Sequence, residues 1–313
     1  MVKYLIKRFS RSLVTLLIII SVVFILLRFM PIEGYFQNFE KLTNAQIQSG
    51  IKNMGLDKPV LIQLKDFYVR LFQGDLGVSR IYRANVPITD ILATKIPLSL
   101  LLGGSSLILS LLLGIPLGTV MARSKGKFWD KFGTAFIVFI QAVPAAVYYL
   151  FIQVFGSQWF GVSMLFDKEN LVTWILPIIS MSLGNIAYYG MWLRRYMVDE
   201  SNKDYVKLAK AKGVSNKNIM MRHVFRNAFV PMIQYIPSSF LNTIIGSIYV
   251  ESLYSVPGMG GLLVDVVKRQ DNTMVQAIVI VFACVGIIGL ILGDFLMTII
   301  DPRISFNKKG GAR

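Results

Sequence analysis

Charge is scarce in this chain. Of its 313 residues only 16% are Asp, Glu, Lys or Arg, where a soluble globular domain carries about a quarter. It holds one cysteine, Cys284, which excludes an intrachain disulfide and a cysteine-based zinc site. One histidine, His223, excludes an H-E-x-x-H metal pair. No G-x-x-x-x-G-K-[ST] phosphate loop and no G-x-S-x-G nucleophile elbow occur. These absences remove the P-loop nucleotidases, the zincins and the serine hydrolases. The chain is therefore expected to be no enzyme, with no catalytic, metal or cofactor-binding residues of its own.

What is present is apolar length: 54% of the residues are hydrophobic, and the net charge is +16. Such a charge would suit nucleic acid if it formed a soluble patch. Here the basic residues lie between long uncharged stretches, which argues against a nucleic-acid partner. The stretches 12–27, 96–122, 132–166, 170–193, 227–250 and 272–293 carry no charge. About 20 apolar residues cross roughly 30 Å of hydrocarbon. The first stretch is short, but Arg28 extends it if its guanidinium reaches the headgroups. The third is too long for one crossing, so 132–155 is expected to span and "GSQWFGVSMLF" to lie at the interface or re-enter. The fold class expected is an all-α integral membrane protein with six transmembrane helices.

The expected organisation is 1–31 for the N-terminal segment and first span, 32–96 for an extracytoplasmic loop domain, and 97–300 for the core. Within the core, spans two to six are placed at about 97–121, 132–155, 172–193, 228–250 and 273–297, and 301–313 forms a tail. The start "MVKYLIKRFSR" lacks a small-x-small cleavage site after its apolar run, so the first span is expected to be retained. The segments on the side of the termini hold 21 Lys/Arg and the opposite ones 11, eight of them in the long 32–96 loop. Long loops weigh little in orientation, so both termini are expected to be cytoplasmic. In that loop, "LIQLKDFYVRLFQG" sets Leu61, Leu64, Phe67, Tyr68 and Leu71 on one helical face ended by Gly74.

Inside the spans, "GIPLG" (Gly114, Gly118) and "GLILG" (Gly289, Gly293) are small-xxx-small patterns for close helix approach. Pro116, Pro144, Pro177 and Pro237 are candidate kinks. Asp294 is the one carboxylate near a span interior, expected to play a structural part at a helix end. No buried chain of ionisable groups exists to couple protons or ions, which weakens a secondary transporter.

One polar segment stands out: "DYVKLAKAKGVSNKNIMMRHVFRNAFVP", 204–231. Residues 200–212 favour helix, with Tyr205, Leu208 and Ala209 as an apolar stripe among lysines. Gly213 sits where a helix end wants a left-handed residue, followed by the apolar Val214. Ser215 then caps a second helix, with Met220/Val224 and Met221/Phe225 at i,i+4. Anionic lipid headgroups would account for the basic charge, but not for a helix–Gly–helix with capped ends.

At these residues the sequence resembles the permease subunits of ABC importers, in their dipeptide/oligopeptide (and nickel) branch. The general loop motif E-A-A-x-x-x-G-x(9)-I-x-L-P is degraded: Lys207, Leu208 and Ala209 stand at E-A-A, Gly213 at the glycine, and His223, Phe225 and Arg226 at the Ile, Leu and Pro positions. The peptide branch's form, Y-V-x-x-A-x-A-K-G then R-H-x-x-R-N-A-x-x-P, is matched by Tyr205, Val206, Ala209, Ala211, Lys212, Gly213, Arg222, His223, Arg226, Asn227, Ala228 and Pro231. "GLDKPVLIQLKDFYVRLFQGDLGVS", "LLLGIPLGTVMARSKGKFWDK", "ESLYSVPGMGGLLVDVVKRQD" and the terminal "DPRI" also resemble that branch's long-first-loop subunit. "QDNTMV" replaces the usual R-D-x-P, and Gln141 to Pro144 replaces S-x-P.

The resemblance implies a type I importer fold in the bacterial inner membrane. It also implies a second homologous permease subunit, two cytoplasmic ABC ATPase subunits that bind ATP and Mg, and an extracytoplasmic peptide-binding protein. Residues 200–226 would be coupling helices docking on an ATPase, with Tyr205, Leu208, Ala209, Ala211, Lys212, Gly213, Val214, Ser215, Arg222, His223, Arg226 and Asn227 at the contact. Gln141, Pro144, Tyr188, Tyr235, Asn242 and Glu251 are candidate pathway or gate residues. Nickel, heme or another small solute is the alternative cargo within the branch, and a secondary transporter without ATPase partners is the alternative class.

Overall fold

A computed structural model describes residues 2–246 and 248–300, with the side chains of 2–8, 234, 242–246, 294 and 297–300 excepted. The terminal 301–313, including the DPRI motif, and the side chains of Asn242 and Asp294 thus lie outside the described residues. Among the described residues there is no strand, only the isolated bridge Val78–Pro87. The helices are α1 Val2–Arg28, α2 Asn44–Met54, α3 Val60–Phe72, α4 Ile88–Arg123, α5 Phe128–Ala142, α6 Ala145–Phe160 and α7 Ile175–Ser201. They continue as α8 Asp204–Ala211, the short α9 Asn216–Asn218, a π-helix Ile219–Phe225, α10 Arg226–Gly246, α11 Ile248–Leu253, α12 Met259–Lys268 and α13 Asn272–Ile300.

Among the described residues, four helical stretches are long and apolar enough to cross a membrane: Phe9–Arg28, Ile88–Arg123, Leu171–Ser201 and Asn272–Gly293. The pair α5–α6 makes a fifth if it counts as one crossing. That pair covers the third span expected over 132–155, with its bend at the candidate kink Pro144. The helix stops at Ala142, turns by 105° and restarts after Pro144, so Gly156 to Phe160 are the end of α6 rather than a separate interfacial segment. Pro144 has φ −54° and precedes the first residue of α6, a place where its missing N–H costs nothing. Pro177, by contrast, is no kink: it is the third residue of α7, where backbone N–H groups lack intrahelical partners anyway. Pro231 and Pro237 lie inside α10.

One further boundary differs from the sequence expectation. Helix α4 begins at Ile88, not near 97, because Asp90 and Lys95 end an apolar run without ending a helix. Ile88, Ile91 and Leu92 in its first turn are buried. The expected fifth span, about 228–250, overlaps α10, which is uncharged after Arg226 and carries Gln234, Ser238, Ser239, Asn242 and Thr243.

The chain divides into two compact units, 100–256 with 288–300, and 2–99 with 257–287. In the first, α7 is the helix on which α5, α6 and α10 pack. Gly114 and Gly118 of α4 let that helix approach α7 closely. An added Cβ would fall 3.0 Å from the Ile186 carbonyl oxygen and 2.7 Å from that of Gly190, respectively. Gly289 meets Leu241 and the Pro237 carbonyl in the same manner.

Asp130 on α5 ties this unit at one end. Its carboxylate accepts two hydrogen bonds from the Arg194 guanidinium, at 2.5 and 2.8 Å, and one from the Gly126 amide at 2.8 Å. The Asp130 side chain is 5% exposed and that of Arg194 31%. Removing one partner of a fully buried pair costs about 3–5 kcal/mol. With Arg194 a third exposed, water screens the orphaned cation, and Asp130→Ala is expected to cost about 2–3 kcal/mol. A fall in the thermal denaturation midpoint of the detergent-solubilised chain is the expected readout, and an unchanged midpoint refutes it.

In the second unit, α3 lies against α1. Tyr68 donates to the Leu17 carbonyl at 2.8 Å and meets Ser21 Oγ at 2.7 Å, and the Phe24 and Phe67 rings stand 5.1 Å apart. Leu64, Phe67, Tyr68 and Leu71 form the expected packed face, whereas Leu61 is 76% exposed and does not join it. Thr43 and Gln46 form a reciprocal capping box at the start of α2. Ser99 of α4 accepts the Met259 amide at 2.8 Å and so caps α12.

Candidate functional site

The 204–231 segment folds as a turn locked from beneath. Helix α8 ends at Ala211, Lys212 caps it, and Gly213 takes φ +76°. The Gly213 amide donates to Lys210 O at 3.0 Å and the Val214 amide to Ala209 O at 3.1 Å. The second bond is the six-to-one closure of a Schellman motif, as the glycine and the following valine predict. Ser215 then accepts the Asn218 amide at 3.4 Å and caps the next helix, also as expected.

Beyond the cap the structure departs from the sequence reading. After α9 the backbone runs as a π-helix through Ile219–Phe225. The wider π repeat places Ile219 and Val224, five apart, on the buried side. Met220 and Phe225 pack on that buried cluster with Val224, whereas Met221, placed at i,i+4 from Phe225, is 42% exposed. The expected stripe on α8 is corrected as well. Val206 and Ala209 are buried and Tyr205 partly so, whereas Leu208 is 57% exposed.

Val206, Ala209, Ile219 and Val224 belong to one buried cluster with Leu193 and Met197 of α7 and Ala228 and Met232 of α10. Tyr205 donates to Glu200 Oε2 at 2.7 Å. Desolvation, with the Glu200 carboxylate beside it, raises the Tyr205 hydroxyl pKa and keeps it neutral. Outward of this base stand Ala211, Lys212, Ser215, Arg222, His223, Arg226 and Asn227, all exposed, with Leu208 and Met221 among them. A partner pressed on this face meets cations and two apolar side chains on a backbone that has little freedom to yield.

Of the five candidate pathway residues whose side chains are described, the structure brings two into contact. Tyr188 on α7 and Tyr235 on α10 meet edge to face with ring centroids 5.9 Å apart. Trp192 and Tyr196 continue this aromatic row along α7, at 6.2 Å from Tyr188 and 5.7 Å from each other. Gln141 is exposed and donates to the Met191 sulfur at 3.6 Å. Pro144 marks the α5–α6 bend, and Glu251 on α11 is fully buried.

Sequence reasoning missed one site, in the second unit. Asp271, fully buried, caps α13 through Oδ1, which accepts the Met274 amide at 3.2 Å. Its Oδ2 accepts from Ser79 Oγ at 2.7 Å and from the amides of Arg80, Ile81 and Tyr82 at 2.9–3.1 Å. Some 190 residues separate the partners, so no local periodicity reveals them. The one available signal was the place of Asp271 in the R-D-x-P-like "QDNTMV".

These features coincide with known proteins along the whole chain. Residues 114–306 match the family described as "Binding-protein-dependent transport system inner membrane component". Residues 1–101 match "Binding-prot-dependent transport system membrane comp, N-term". The dipeptide transport system permease protein DppB of Lactococcus lactis is 32% identical over 305 residues, covering 97% of this chain and 99% of that protein. The oligopeptide transport system permease protein AmiC of Streptococcus pneumoniae is 37% identical over 216 residues, 68% of this chain and 43% of AmiC's length. The oligopeptide transport system permease protein OppB of Salmonella typhimurium is 26% identical over 316 residues. With one match running from the second half of α4 through the Gly213 turn to α13 and another covering residues 1–101, the chain belongs to the binding-protein-dependent transport system inner membrane components.

Proposed function

We propose that this chain is a permease subunit of an ATP-driven ABC importer of oligopeptides or dipeptides. It crosses a bacterial inner membrane six times, counting α5–α6 and α10–α11 as one crossing each, with both termini cytoplasmic. It pairs with a second, related permease subunit, receives peptide from an extracytoplasmic binding protein, and is driven by two ATPase subunits. ATP and Mg are bound by those partners. The names of the relatives support the cargo, and the family supports the partners.

The observation that carries the reading is the face around Gly213. A basic loop that only touches lipid headgroups has no need of a closed Schellman turn, nor of exposed Leu208 and Met221 held over a buried base. An ATPase groove of apolar floor and acidic rim is the complement. Because the base shares its packing with α7 and α10, a displacement of the turn carries those helices with it, and Tyr188 and Tyr235 sit on them. This is rigid-body transmission through packed elements. Gln141, Pro144, Tyr188, Tyr235, Asn242 and Glu251 are proposed to line or gate the peptide path.

The test is co-expression with the two ATPase subunits and the second permease. Leu208→Asp alters an exposed side chain and leaves the fold intact. Full burial of a leucine contributes about 1.5–3 kcal/mol, so the variant is expected to retain roughly tenfold less ATPase on affinity capture and to lose peptide-stimulated hydrolysis. Full retention of a working complex refutes the docking role.

A further inference from the structure

In the unit formed by 2–99 and 257–287, the ends of α1, α2 and α3 and the first turns of α13 surround a cavity of about 150 Å³. Three guanidinium groups line it, Arg28, Arg70 and Arg80, against one carboxylate, Asp75. Asp75 is already engaged, since its Oδ1 accepts the Gly77 amide at 2.7 Å. Among the described residues none of the three arginines is paired with a carboxylate. Arg28 is positioned from behind: Nη1 donates to Tyr35 Oη at 2.6 Å and the guanidinium lies 4.5 Å above the Phe24 ring. Gln276, 7% exposed, adds an amide to the wall.

A concave wall with a surplus of two positive charges attracts an anion, and arginine forks suit the oxygens of phosphate. The depth of the cavity narrows the source. Arg28 is the last residue of the apolar stretch Phe9–Arg28, and Gln276 is the fifth residue of Asn272–Gly293. Both therefore stand where an apolar helix meets the headgroup layer. Phe29 and Phe72, one and two residues beyond Arg28 and Arg70, are each 81% exposed. A cationic cavity at the end of an apolar helix, with Phe29 exposed directly after Arg28, suits a ligand with a phosphate and an acyl tail, and a free anion has no use for the apolar surroundings.

We propose that this cavity binds the phosphate of an anionic phospholipid headgroup, with Arg70 and Arg80 as the donors and Arg28 as the fixed charge at its back. The site is separate from the Gly213 face and does not depend on what the protein transports.

The full chain is to be reconstituted with equal amounts of phosphatidylglycerol and phosphatidylcholine, and the lipid retained after detergent release measured by native mass spectrometry. Selective retention of phosphatidylglycerol is expected, with roughly a tenfold loss of that selectivity in R70Q/R80Q and substantial recovery in R70K/R80K. Both side chains line the cavity without supporting the helices, and an unchanged circular dichroism spectrum verifies that the variant folds. Equal retention of the two lipids, or selectivity unaltered in R70Q/R80Q, overturns the proposal. In a parallel arm the lipid-stripped protein is titrated with inorganic phosphate. Thermal stabilisation by millimolar phosphate equal to that by phosphatidylglycerol, and lost in R70Q/R80Q, overturns the lipid source in favour of a free oxyanion.

Discussion

Gly213→Val is expected to abolish peptide uptake in membrane vesicles while the protein still inserts and folds. Position 213 has φ +76° and ends α8 through a closed Schellman motif. A left-handed backbone costs an ordinary residue about 1–2 kcal/mol, and a β-branched one is a genuine outlier there. Nothing lies within 4 Å of a Cβ added at Gly213, so the penalty is conformational rather than steric. The chain relieves it by abandoning the left-handed turn, which moves the cap at Ser215 and the exposed Met221 out of register with Leu208. A coupling loss of about 1–3 kcal/mol corresponds to 5–150-fold. Gly213→Pro acts more strongly, since proline locks φ near −65° and removes the N–H that donates to Lys210.

Gly213→Asn separates this account from a general intolerance of side chains. Asparagine enters the left-handed region readily, so uptake is expected to stay within about threefold of the parent, a difference of well under 1 kcal/mol. Vesicle uptake of labelled peptide, with ATPase activity of the co-purified complex, is the measurement. Equal failure of Asn and Val would show that the turn tolerates no side chain. Normal uptake by Val would end the coupling assignment.

Asp271→Ala is expected to release the 79–83 turn and to be the most destabilising single change in its unit. One buried carboxylate oxygen serves three consecutive amides and the Ser79 hydroxyl, while the other caps α13. Hydrogen bonds to a charged acceptor contribute about 1.5–3 kcal/mol each, and orphaned buried donors cost about 1–3 kcal/mol. Even allowing for strong non-additivity, a net loss of about 3 kcal/mol or more follows, or roughly 100-fold in the local opening equilibrium. Gln270 just before it is held at φ +58°, with the Asp271 amide bonded to Val266 O at 2.9 Å. The same loss of anchoring therefore frees a strained residue. Hydrogen exchange at the amides of 80–82 is the readout, expected about 100-fold faster in Asp271→Ala and intermediate in Asp271→Asn. Unchanged exchange in the alanine variant refutes the anchoring role.

The features legible in the sequence are local ones. The Gly213–Val214–Ser215 turn could be read because a helix end needs a positive φ, an apolar successor and a cap within a few residues. The face of α3 could be read because Leu64, Phe67, Tyr68 and Leu71 recur at helical spacing. Leu61 shares that spacing yet faces outward, because periodicity names a stripe without naming how wide its neighbour is. The π-helix at Ile219–Phe225 was hidden for a related reason. The residues suit an α-helix, and the packing of Ile219 and Val224 against α7 and α10 selects the wider register. The bend at Pro144 was visible as a possibility, but a proline by itself does not state an angle.

By itself the sequence determined that this is a helical membrane chain, and that one polar segment carries a capped glycine turn. Charge scarcity, uncharged lengths and capping chemistry all act over a few residues, so they need no three-dimensional context. Tertiary structure alone decided which apolar residues of that turn are buried and which are offered outward. It alone paired Asp130 with Arg194 and wrapped the 80–82 amides and the Ser79 hydroxyl around Asp271. These choices join residues 64 and about 190 positions apart, and the energy of such a contact depends on what the fold brings next to it.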